Sequence, residues 1–516
     1  MTETSTHPSS SYKSPLILSI VTPFDAKLKR NYYFTQVFQG FTWMLFHFSV
    51  VFFFWLLLEN ILLVGIFLWF ANLISLFLDV PIWLIQRYVS TKRLFLIAWI
   101  TQFIAVGVFF FLIFRFSVLL EYVWGVVTPE SFSSGIEWFF GSFLNWVGVF
   151  IAAVCYGVTQ EINAVAGYGY VLSHANPSEY SAVFSRSHIA WGIGSVAGLL
   201  LSWIVLQTPS WLAVIVLALV ILWLNAFTYQ FFNTTHEVID IKDITAFKAS
   251  IQHLTMENVK EYLVSTVKKA DLWTVVQTAG RYIFLRPQKK ELDTPIPWST
   301  LISETKKEIR VTLHILFQQP FHVSLFWAIG MLLIFGFWDT FATSFLVDFL
   351  DSVKHGWSFI LLTLIVIPWV LLQTYAWSIA NRIGMTYVGA FGLALSGFSL
   401  VALGIFSFFS LSPLIILILA VLNSIGYAAG MPMGQNHFLE KYNILYAEHL
   451  NLKEIDANAS AWPIRMIGNF ANVVGLMLGW FILELFHYTW FFLIFGLIIL
   501  AFLVWVVMRQ DHINAN

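Results

Sequence analysis

The chain consists of long apolar stretches that are separated by short polar segments. Twelve stretches are about 20 residues or longer, and none alternates apolar and polar positions as a half-buried strand does. Because a helix of about 20 residues crosses a hydrocarbon core about 30 Å thick, each stretch predicts a membrane-spanning helix. We number these predicted spans 1 to 12, and they cover 33–58, 61–86, 94–116, 142–172, 187–207, 210–232, 321–349, 356–380, 385–409, 413–439, 460–485 and 488–508.

The composition agrees with this pattern. Of the 516 residues, 59% are apolar, 18% are aromatic and only 11% are charged, whereas a soluble domain has about 25% charged residues. Pattern and composition together predict an all-α polytopic protein embedded in a lipid bilayer. The net charge of −1 gives no indication of nucleic-acid binding, and the single Cys155 permits no internal disulfide.

The basic residues predict the orientation of the spans. If the N-terminus lies in the cytosol, all lysines and arginines except Arg115 and Lys354 fall in cytosolic segments or at cytosolic span ends, as the positive-inside rule requires. The first 30 residues are polar and lack the apolar centre of a signal peptide. We therefore expect both termini in the cytosol and the protein in the cytoplasmic (inner) membrane.

A nine-residue segment occurs twice in the chain in similar form. Residues 198–206 read GLLLSWIVL and residues 475–483 read GLMLGWFIL, with five of the nine positions identical. The copies fall in spans 5 and 11, six spans apart. Spans 2 and 8 also match, since Asp79 precedes Arg87 by eight residues and Gln373 precedes Asn381 by eight. A six-span period predicts two pseudo-symmetric six-helix bundles, an arrangement typical of transporters.

The repeat defines the expected domains. A hydrophilic segment, 233–320, separates the two sets of six spans and contains two stretches with amphipathic helical spacing. We expect this linker to lie along the inner membrane surface and tie the halves together, while a regulatory role stays open. The expected parts are a cytosolic segment 1–32, an N-terminal bundle 33–232, the linker 233–320, a C-terminal bundle 321–508 and a cytosolic tail 509–516.

Between spans 2 and 3 the chain reads DVPIWLIQRYVSTKR. This segment resembles a motif of the major facilitator superfamily, Gly-x-x-x-Asp-Arg/Lys-x-Gly-Arg-Arg, which is often preceded by Glu-x-Pro-x. Asp79 and Pro81 stand at the Glu and Pro of the preceding part, and the closing basic pair is present, but Arg87 stands where the motif has Asp. In the second copy, WSIANRIGMT, Asn381 stands at the same place. The resemblance rests on this degraded motif and on the whole pattern of spans, and it is specific for fold rather than substrate.

The resemblance implies a cytosolic gate and a central cavity. In the family these loops latch the two bundles on the cytosolic side, and spans 1, 4, 7 and 10 line the cavity. Asp79 either supplies the acidic contact that the motif lacks or lies at a helix end near the headgroups. The expected gate residues are Asp79, Arg87, Lys92, Arg93, Asn381 and Arg382.

Three ionisable residues lie well inside spans that the resemblance places at the cavity. A charge at the bilayer centre costs about 2.5–3.5 kcal/mol, so such residues normally face a cavity or a partner. Asp339 lies opposite a stripe of phenylalanines in span 7, so it either faces a polar cavity or forms a static pair with an arginine. Glu161 either carries a proton or pairs with Arg186 or Arg465. His47 is either a packing residue or part of a proton pathway.

Neutral polar residues in the same spans are candidates for solute contacts. Thr343 shares the polar side of Asp339, and no cluster of cationic residues is evident, which disfavours a strongly anionic substrate. The remaining candidates are Asn423, Tyr427, Gln435 and Asn469.

The predicted function is secondary active transport of a small organic solute by alternating access, coupled to protons or another cation. No phosphate-binding loop is present, so ATP does not drive the chain directly. We expect a monomer with no cofactor, no metal and no enzymatic activity. Two alternatives stay open. One is a transporter-like sensor or assembly subunit. The other is an intramembrane lipid-linked transferase, which needs paired carboxylates or His–acid clusters at a membrane face.

Overall fold

The structure is a computed structural model and describes most of the two predicted bundles. The described residues are 26–58, 60–86, 91–118, 141–174, 180–205, 216, 220–221, 298–317, 322–353, 358–409, 412–452, 459–510 and 513. Every regular element within these ranges is helical. The predicted all-α class is therefore confirmed.

The N-terminal half contains five described helices, and a sixth precedes the C-terminal half. Helix α1 continues directly into a π-helical segment, Phe52–Leu57. The helices are α1 (Ala26–Val51), α2 (Ile61–Ile85), α3 (Thr91–Val118), α4 (Phe143–His174), α5 (Tyr180–Val205) and α6 (Trp298–Phe317).

The C-terminal half is helical from Val323 onward. Its first four helices are α7 (Val323–Val353), α8 (Ser358–Ile383), α9 (Met385–Ser407) and α10 (Pro413–His449). The last stretch, Ala461–Met508, is interrupted at His487, where φ is 63° and ψ is 163°. It therefore forms two membrane-spanning lengths, Ala461–Leu483 (α11) and Leu485–Met508 (α12).

Local sequence signals fix several helix ends. The Asn60 side chain accepts a hydrogen bond from the Leu63 backbone N–H at 3.2 Å and so caps α2. Ser412 occupies the same position before α10, with Pro413 in the first turn, where a missing N–H costs nothing. Gly384 separates α8 from α9 with a φ of 102°, a conformation that glycine adopts without a Cβ clash.

The helices follow the predicted spans closely. Nine of the described helices are long and apolar enough to cross a membrane, or ten if the two parts of α8, which meet at a 43° bend, count as one span. Span 5 corresponds to α5, whereas span 6 (210–232) lies almost wholly outside the described residues. The fold is confirmed as a membrane-spanning helical one, and the count of twelve stays a prediction.

Helix packing repeats with the six-span period. Helix α1 packs against α5, and α2 and α3 pack against α4; in the second half α7 packs against α11–α12, and α8 and α9 pack against α10. The main contacts between the halves are α2 with α11 and α5 with α8. Each of these contacts is the counterpart of the other, so the halves are related by pseudo-symmetry.

The repeated nine-residue segment occupies matching positions in the two halves. A Cβ atom on Gly198 of α5 would lie 3.0 Å from the backbone oxygen of Phe41 in α1, and one on Gly475 of α11 would lie 3.2 Å from the backbone oxygen of Phe337 in α7. Absence of a side chain lets each helix approach the first helix of its own half closely. The nine-residue segment is repeated because α5 and α11 each pack closely against the first helix of their own half.

The second amphipathic stretch of the linker forms helix α6, which contacts α2 and α10. The hydroxyls of Thr312 and Tyr442 are 2.7 Å apart, and the Tyr446 hydroxyl donates to Glu308 Oε2 at 3.1 Å. These contacts explain why α10 runs to His449 rather than to the predicted end at 439. The first amphipathic stretch lies outside the described residues.

Candidate functional site

A cavity of about 320 Å³ lies between the two halves. Its lining comes from α1, α2, α3, α4 and α5 on one side and from α7, α8, α10 and α11 on the other. The four spans expected to line the cavity, 1, 4, 7 and 10, all contribute, and their neighbours 2, 5, 8 and 11 do as well. The cavity is thus shared between two bodies that pack mainly within themselves.

Aromatic rings form one wall of the cavity. Trp43 of α1 lies 5.1 Å from Trp191 of α5 between ring centroids, and Trp191 lies 5.8 Å from Trp369 of α8. Trp369 in turn meets Tyr427 of α10 edge to face at 5.5 Å. The wall crosses from one half to the other. No pattern within a single span indicates the three tryptophans, because each lies in a different span.

Carboxamide side chains make up much of the remaining lining. Asn472 joins the halves, since its Nδ2 donates to Asn72 Oδ1 at 3.2 Å and its Oδ1 accepts from Thr340 at 2.6 Å. A carboxamide both donates and accepts hydrogen bonds, so this lining suits neutral polar groups. The other carboxamide residues at the cavity are Gln36, Gln39, Gln102, Gln160, Asn163, Gln373 and Gln435.

Asp339 lines the cavity from α7, together with Thr343. The opposite side of α7 is apolar, with the Phe341 ring stacked on Phe491 of α12, as the phenylalanine stripe predicts. Within the described part of the chain, no lysine, arginine or histidine forms an ion pair with Asp339. Its carboxylate therefore faces the cavity without a fixed counter-ion there.

His47 joins the two halves within the membrane. Its Nε2 lies 3.0 Å from the backbone oxygen of Thr343, and its ring stacks on Trp43 at 5.1 Å. The residue is buried, although it contributes to the cavity lining. This geometry agrees with a packing and hydrogen-bonding residue, and a role for His47 in a proton pathway stays a prediction.

Four side chains from three helices meet in a polar cluster, in which Asp79, Glu161 and Asn469 are buried and Arg465 is 26% exposed. The Nδ2 of Asn469 in α11 donates to Asp79 Oδ1 of α2 at 2.9 Å and to Glu161 Oε2 of α4 at 2.8 Å. Arg465 of α11 lies 3.5 Å from Glu161 and donates to Asn469 Oδ1 at 3.3 Å. Of the two arginines considered for Glu161, Arg465 is thus the partner, while Arg186 is exposed.

Asp348 forms a second polar contact between the halves. Its Oδ1 accepts from Trp55 Nε1 in the π-helical segment at 3.0 Å, and its Oδ2 accepts from the Tyr488 hydroxyl of α12 at 2.8 Å. Near it, Gly65 of α2 packs against the Phe345 ring. These contacts lie where α1 ends and α2 begins, and the bond to Trp55 joins the two halves there. The sequence gives no periodic signal for Asp348, which occupies the last turns of α7.

The sequence profile of the Major Facilitator Superfamily matches residues 131–443, which is more than half of the chain. The chain belongs to the major facilitator superfamily. Nothing among the curated proteins matches it.

Solved structures show the same fold over nearly the whole chain. A POT family transporter in complex with a thioalcohol-conjugated peptide is 13% identical with a TM-score of 0.56, covering 94% of this chain and 96% of its own. A D-xylose-proton symporter is 12% identical with a TM-score of 0.58, covering 93% and 96%. The E. coli xylose transporter XylE, in a partially occluded inward-open conformation, is 9% identical with a TM-score of 0.53, covering 94% and 96%.

The gate residues expected from the superfamily motif are described only in part. Asn381 and Arg382 end α8 with exposed side chains. Lys92 and Arg93 lie in the first turn of α3, and their side chains are outside the described set, as is the whole of Arg87. Asp79 does not lie at an exposed helix end; it is fully buried in the cluster with Glu161 and Asn469.

Of the other residues expected to contact the solute, Tyr427 and Gln435 line the cavity. Asn469 belongs to the buried cluster with Asp79 and Glu161. Asn423 lies instead at the contact between α9 and α10, with its Nδ2 3.5 Å from the backbone oxygen of Ser396, because small residues bring these helices together there. The expected cavity position of Asn423 is corrected accordingly. The described residues include no group of three or more His, Cys, Asp or Glu side chains arranged to hold a metal ion.

Proposed function

We propose that this protein is a secondary active transporter that carries a small, neutral, polar organic solute by alternating access, coupled to protons. The observation that carries the proposal is the cavity of about 320 Å³, which both halves line. A solute held there contacts two bodies at once. Rocking of one half against the other then exposes the same site to either side of the membrane, as in other repeat-built transporters.

The size and chemistry of the cavity support this substrate class. Ligand pockets usually enclose about 300–1,000 Å³, so this cavity lies at the small end of the range. Its carboxamides offer both donors and acceptors, and its tryptophans offer apolar faces. The two opposite charges at its lining, Asp339 and Arg465, favour neither an anionic nor a cationic solute as a class. We propose a hydroxyl- or amide-bearing solute about the size of a single sugar ring.

Two sets of contacts are proposed as the gates. At one end lie the contacts of Asp348 with Trp55 and of His47 with Thr343. Toward the other end lie the α2–α11 contacts, which include the Asp79 cluster and the Trp83–Trp462 pair at 6.4 Å. Alternating access requires each set to open while the other stays closed. On the proposed topology, with both termini cytosolic in the inner membrane, the first set is the outer gate.

We also propose roles for the cytosolic residues, the two bundles, the linker and Asp339. Asn381 and Arg382, together with Arg87, Lys92 and Arg93, are proposed to approach one another when the cytosolic side closes. Segments 33–232 and 321–508 are the proposed moving bundles, with 233–320 joining them and the chain acting as a monomer. Asp339 is the proposed coupling group of the cavity, because burial of an unpaired carboxylate is costly and protonation removes that cost.

The buried carboxylates do not favour a transferase. Asp79 and Glu161 form a pair, but neither is exposed to lipid or solvent, so a lipid-linked substrate has no access to them.

The test is solute counterflow in proteoliposomes. Vesicles with purified protein are preloaded with an unlabelled solute, and entry of the labelled solute is followed without any ion gradient. The panel contains monosaccharides, polyols, small amides, and acidic and basic amino acids. We expect exchange with a neutral member and none with the charged members. Exchange with none, combined with no solute that raises the melting temperature, would favour a sensor or assembly subunit instead.

A further inference from the structure

The polar cluster of Asp79, Glu161, Asn469 and Arg465 contains a single amide nitrogen between two carboxyl groups. Asn469 Nδ2 lies 2.9 Å from Asp79 Oδ1 and 2.8 Å from Glu161 Oε2. The Asn469 oxygen faces the Arg465 guanidinium at 3.3 Å, which fixes the side-chain orientation, since an arginine only donates. Both carboxyl groups are thus held on the nitrogen side of one asparagine.

The charges of the cluster do not balance if every group is ionised. Two carboxylates and one guanidinium leave one uncompensated negative charge, and both carboxyl groups are fully buried. Among the described residues, the charged groups that act on Asp79 are Glu161 of α4 and Arg465 of α11. The other titratable group near Arg465 is Tyr168 of α4, which is neutral unless its phenol ionises. No further cation from α1, α6 or α7 acts on Asp79 in this part of the chain.

Two carboxyl oxygens in the cluster have acceptor capacity that the neighbouring side chains do not use. Asp79 Oδ2 and Glu161 Oε1 are buried and have no hydrogen-bond partner within the described residues. Two carboxylates that share a site cannot both stay ionised at low cost, and one proton removes both the repulsion and the unmatched charge. A proton on either residue also supplies an O–H donor to the other.

We infer that Asp79 and Glu161 form a proton-binding site that holds one proton between them at the contact between the two halves. Both carboxyl groups belong to the N-terminal half, whereas Asn469 and Arg465 belong to α11. Release of the proton leaves a net negative charge in the buried α2–α11 contact, and the cost of burying that charge favours entry of water. This proton is distinct from the one proposed for Asp339, and its binding does not depend on the proposed function.

The site is separate from Asp339. Asp339 faces the cavity without a counter-ion in the described residues, whereas the Asp79–Glu161 pair is closed off and is held by partners from the opposite half. Arg465 connects the two regions because it lines the cavity and contacts Glu161. A solute that contacts Arg465 would therefore alter the electrostatic balance of the pair.

The experiment is infrared spectroscopy of the carboxylic C=O stretch on purified protein in nanodiscs, without solute or gradient. The spectrum of each variant is subtracted from that of the wild-type protein. It is done near neutral pH, where exposed carboxyl groups are ionised. The wild-type protein should show a carboxylic band that is lost in both Asp79→Asn and Glu161→Gln. In either variant one carboxylate remains opposite Arg465, and no proton is needed. Arg465→Gln should roughly double the band, because both carboxyl groups then need a proton.

Controls separate this site from other buried carboxyl groups. Asp339→Asn and Asp348→Asn should keep this band. Loss of the band in only one of Asp79→Asn and Glu161→Gln would overturn a shared proton, and an unchanged band in both would overturn the site. If Arg465→Gln fails to fold, the two isosteric carboxyl variants decide the matter. Because no transport is measured, failure of counterflow would reject the proposed function without affecting this result.

Discussion

The hydrogen bond between Trp55 and Asp348 gives the clearest prediction for the proposed outer gate. Trp55 Nε1 donates to Asp348 at 3.0 Å across the two halves, whereas Tyr488 donates to the same carboxylate from within the C-terminal half. A hydrogen bond to a charged group contributes about 1.5–3 kcal/mol net. Trp55→Phe removes the donor but keeps an aromatic ring, so it weakens only the contact that joins the halves.

The expected effect is a shift toward the state that is open on this side. Since about 1.4 kcal/mol corresponds to a factor of 10, loss of the bond should raise the ratio of open to closed protein roughly 10- to 150-fold. Tyr488→Phe is the matched control, because it removes a bond to the same carboxylate without separating the halves. It should leave the population nearly unchanged.

The assay is labelling of a cavity cysteine from outside the cell. Ser344 lines the cavity and is buried, so Ser344→Cys in a Cys155→Ser background reports opening through its rate of reaction with a membrane-impermeant maleimide. The rate should rise in Trp55→Phe and in Asp348→Ala, with no further increase when both changes are combined. An unchanged rate in Trp55→Phe, or an equal increase in Tyr488→Phe, would refute the gate.

Two further predictions concern packing. Gly198→Leu should lower the melting temperature, because its side chain would meet the backbone of Phe41 at an overpacking cost of about 1–3 kcal/mol. The control Gly107→Leu should be nearly neutral, since nothing lies within 4 Å of a Cβ atom there. Equal melting temperatures for the two variants would contradict the close approach of α5 to α1. Tyr442→Phe should remove the 2.7 Å hydrogen bond to Thr312 at a cost of about 1 kcal/mol. Proteolysis within α6 should then increase. Unchanged cleavage would mean that this hydrogen bond does not hold α6 in place.

Hydropathy predicted the helices well because lipid imposes one requirement on every span. A segment of sufficient apolar length must be helical to satisfy its backbone, so the predicted ranges agree with α1–α5 and α7–α12 to within a few residues at most ends. The prediction was wrong at the end of α10. Tyr442 and Tyr446 lie beyond the apolar run. Their hydrogen bonds with α6 stabilise the extra turns of α10, and hydropathy gives no information about such bonds.

The site was predictable only where a single helix carries the signal. Asp339 opposite its phenylalanine stripe is a property of one helix, and the cavity position follows from the superfamily fold. The pairing of Asp79 with Glu161 through Asn469 joins three helices that are distant in sequence, and no periodicity within one span indicates it. For the same reason, Asn423 was expected at the cavity although α9 covers it.

The most direct test of the account is accumulation of the counterflow solute by proteoliposomes under an imposed proton gradient. The wild-type protein should concentrate the solute when the gradient is present and only equilibrate it when a protonophore is added. Asp339→Asn, which keeps the size of the side chain but cannot ionise, should retain counterflow and lose gradient-driven accumulation. If the wild-type protein accumulates no solute under the gradient, or if Asp339→Asn accumulates it as the wild type does, proton coupling through the cavity carboxylate is contradicted.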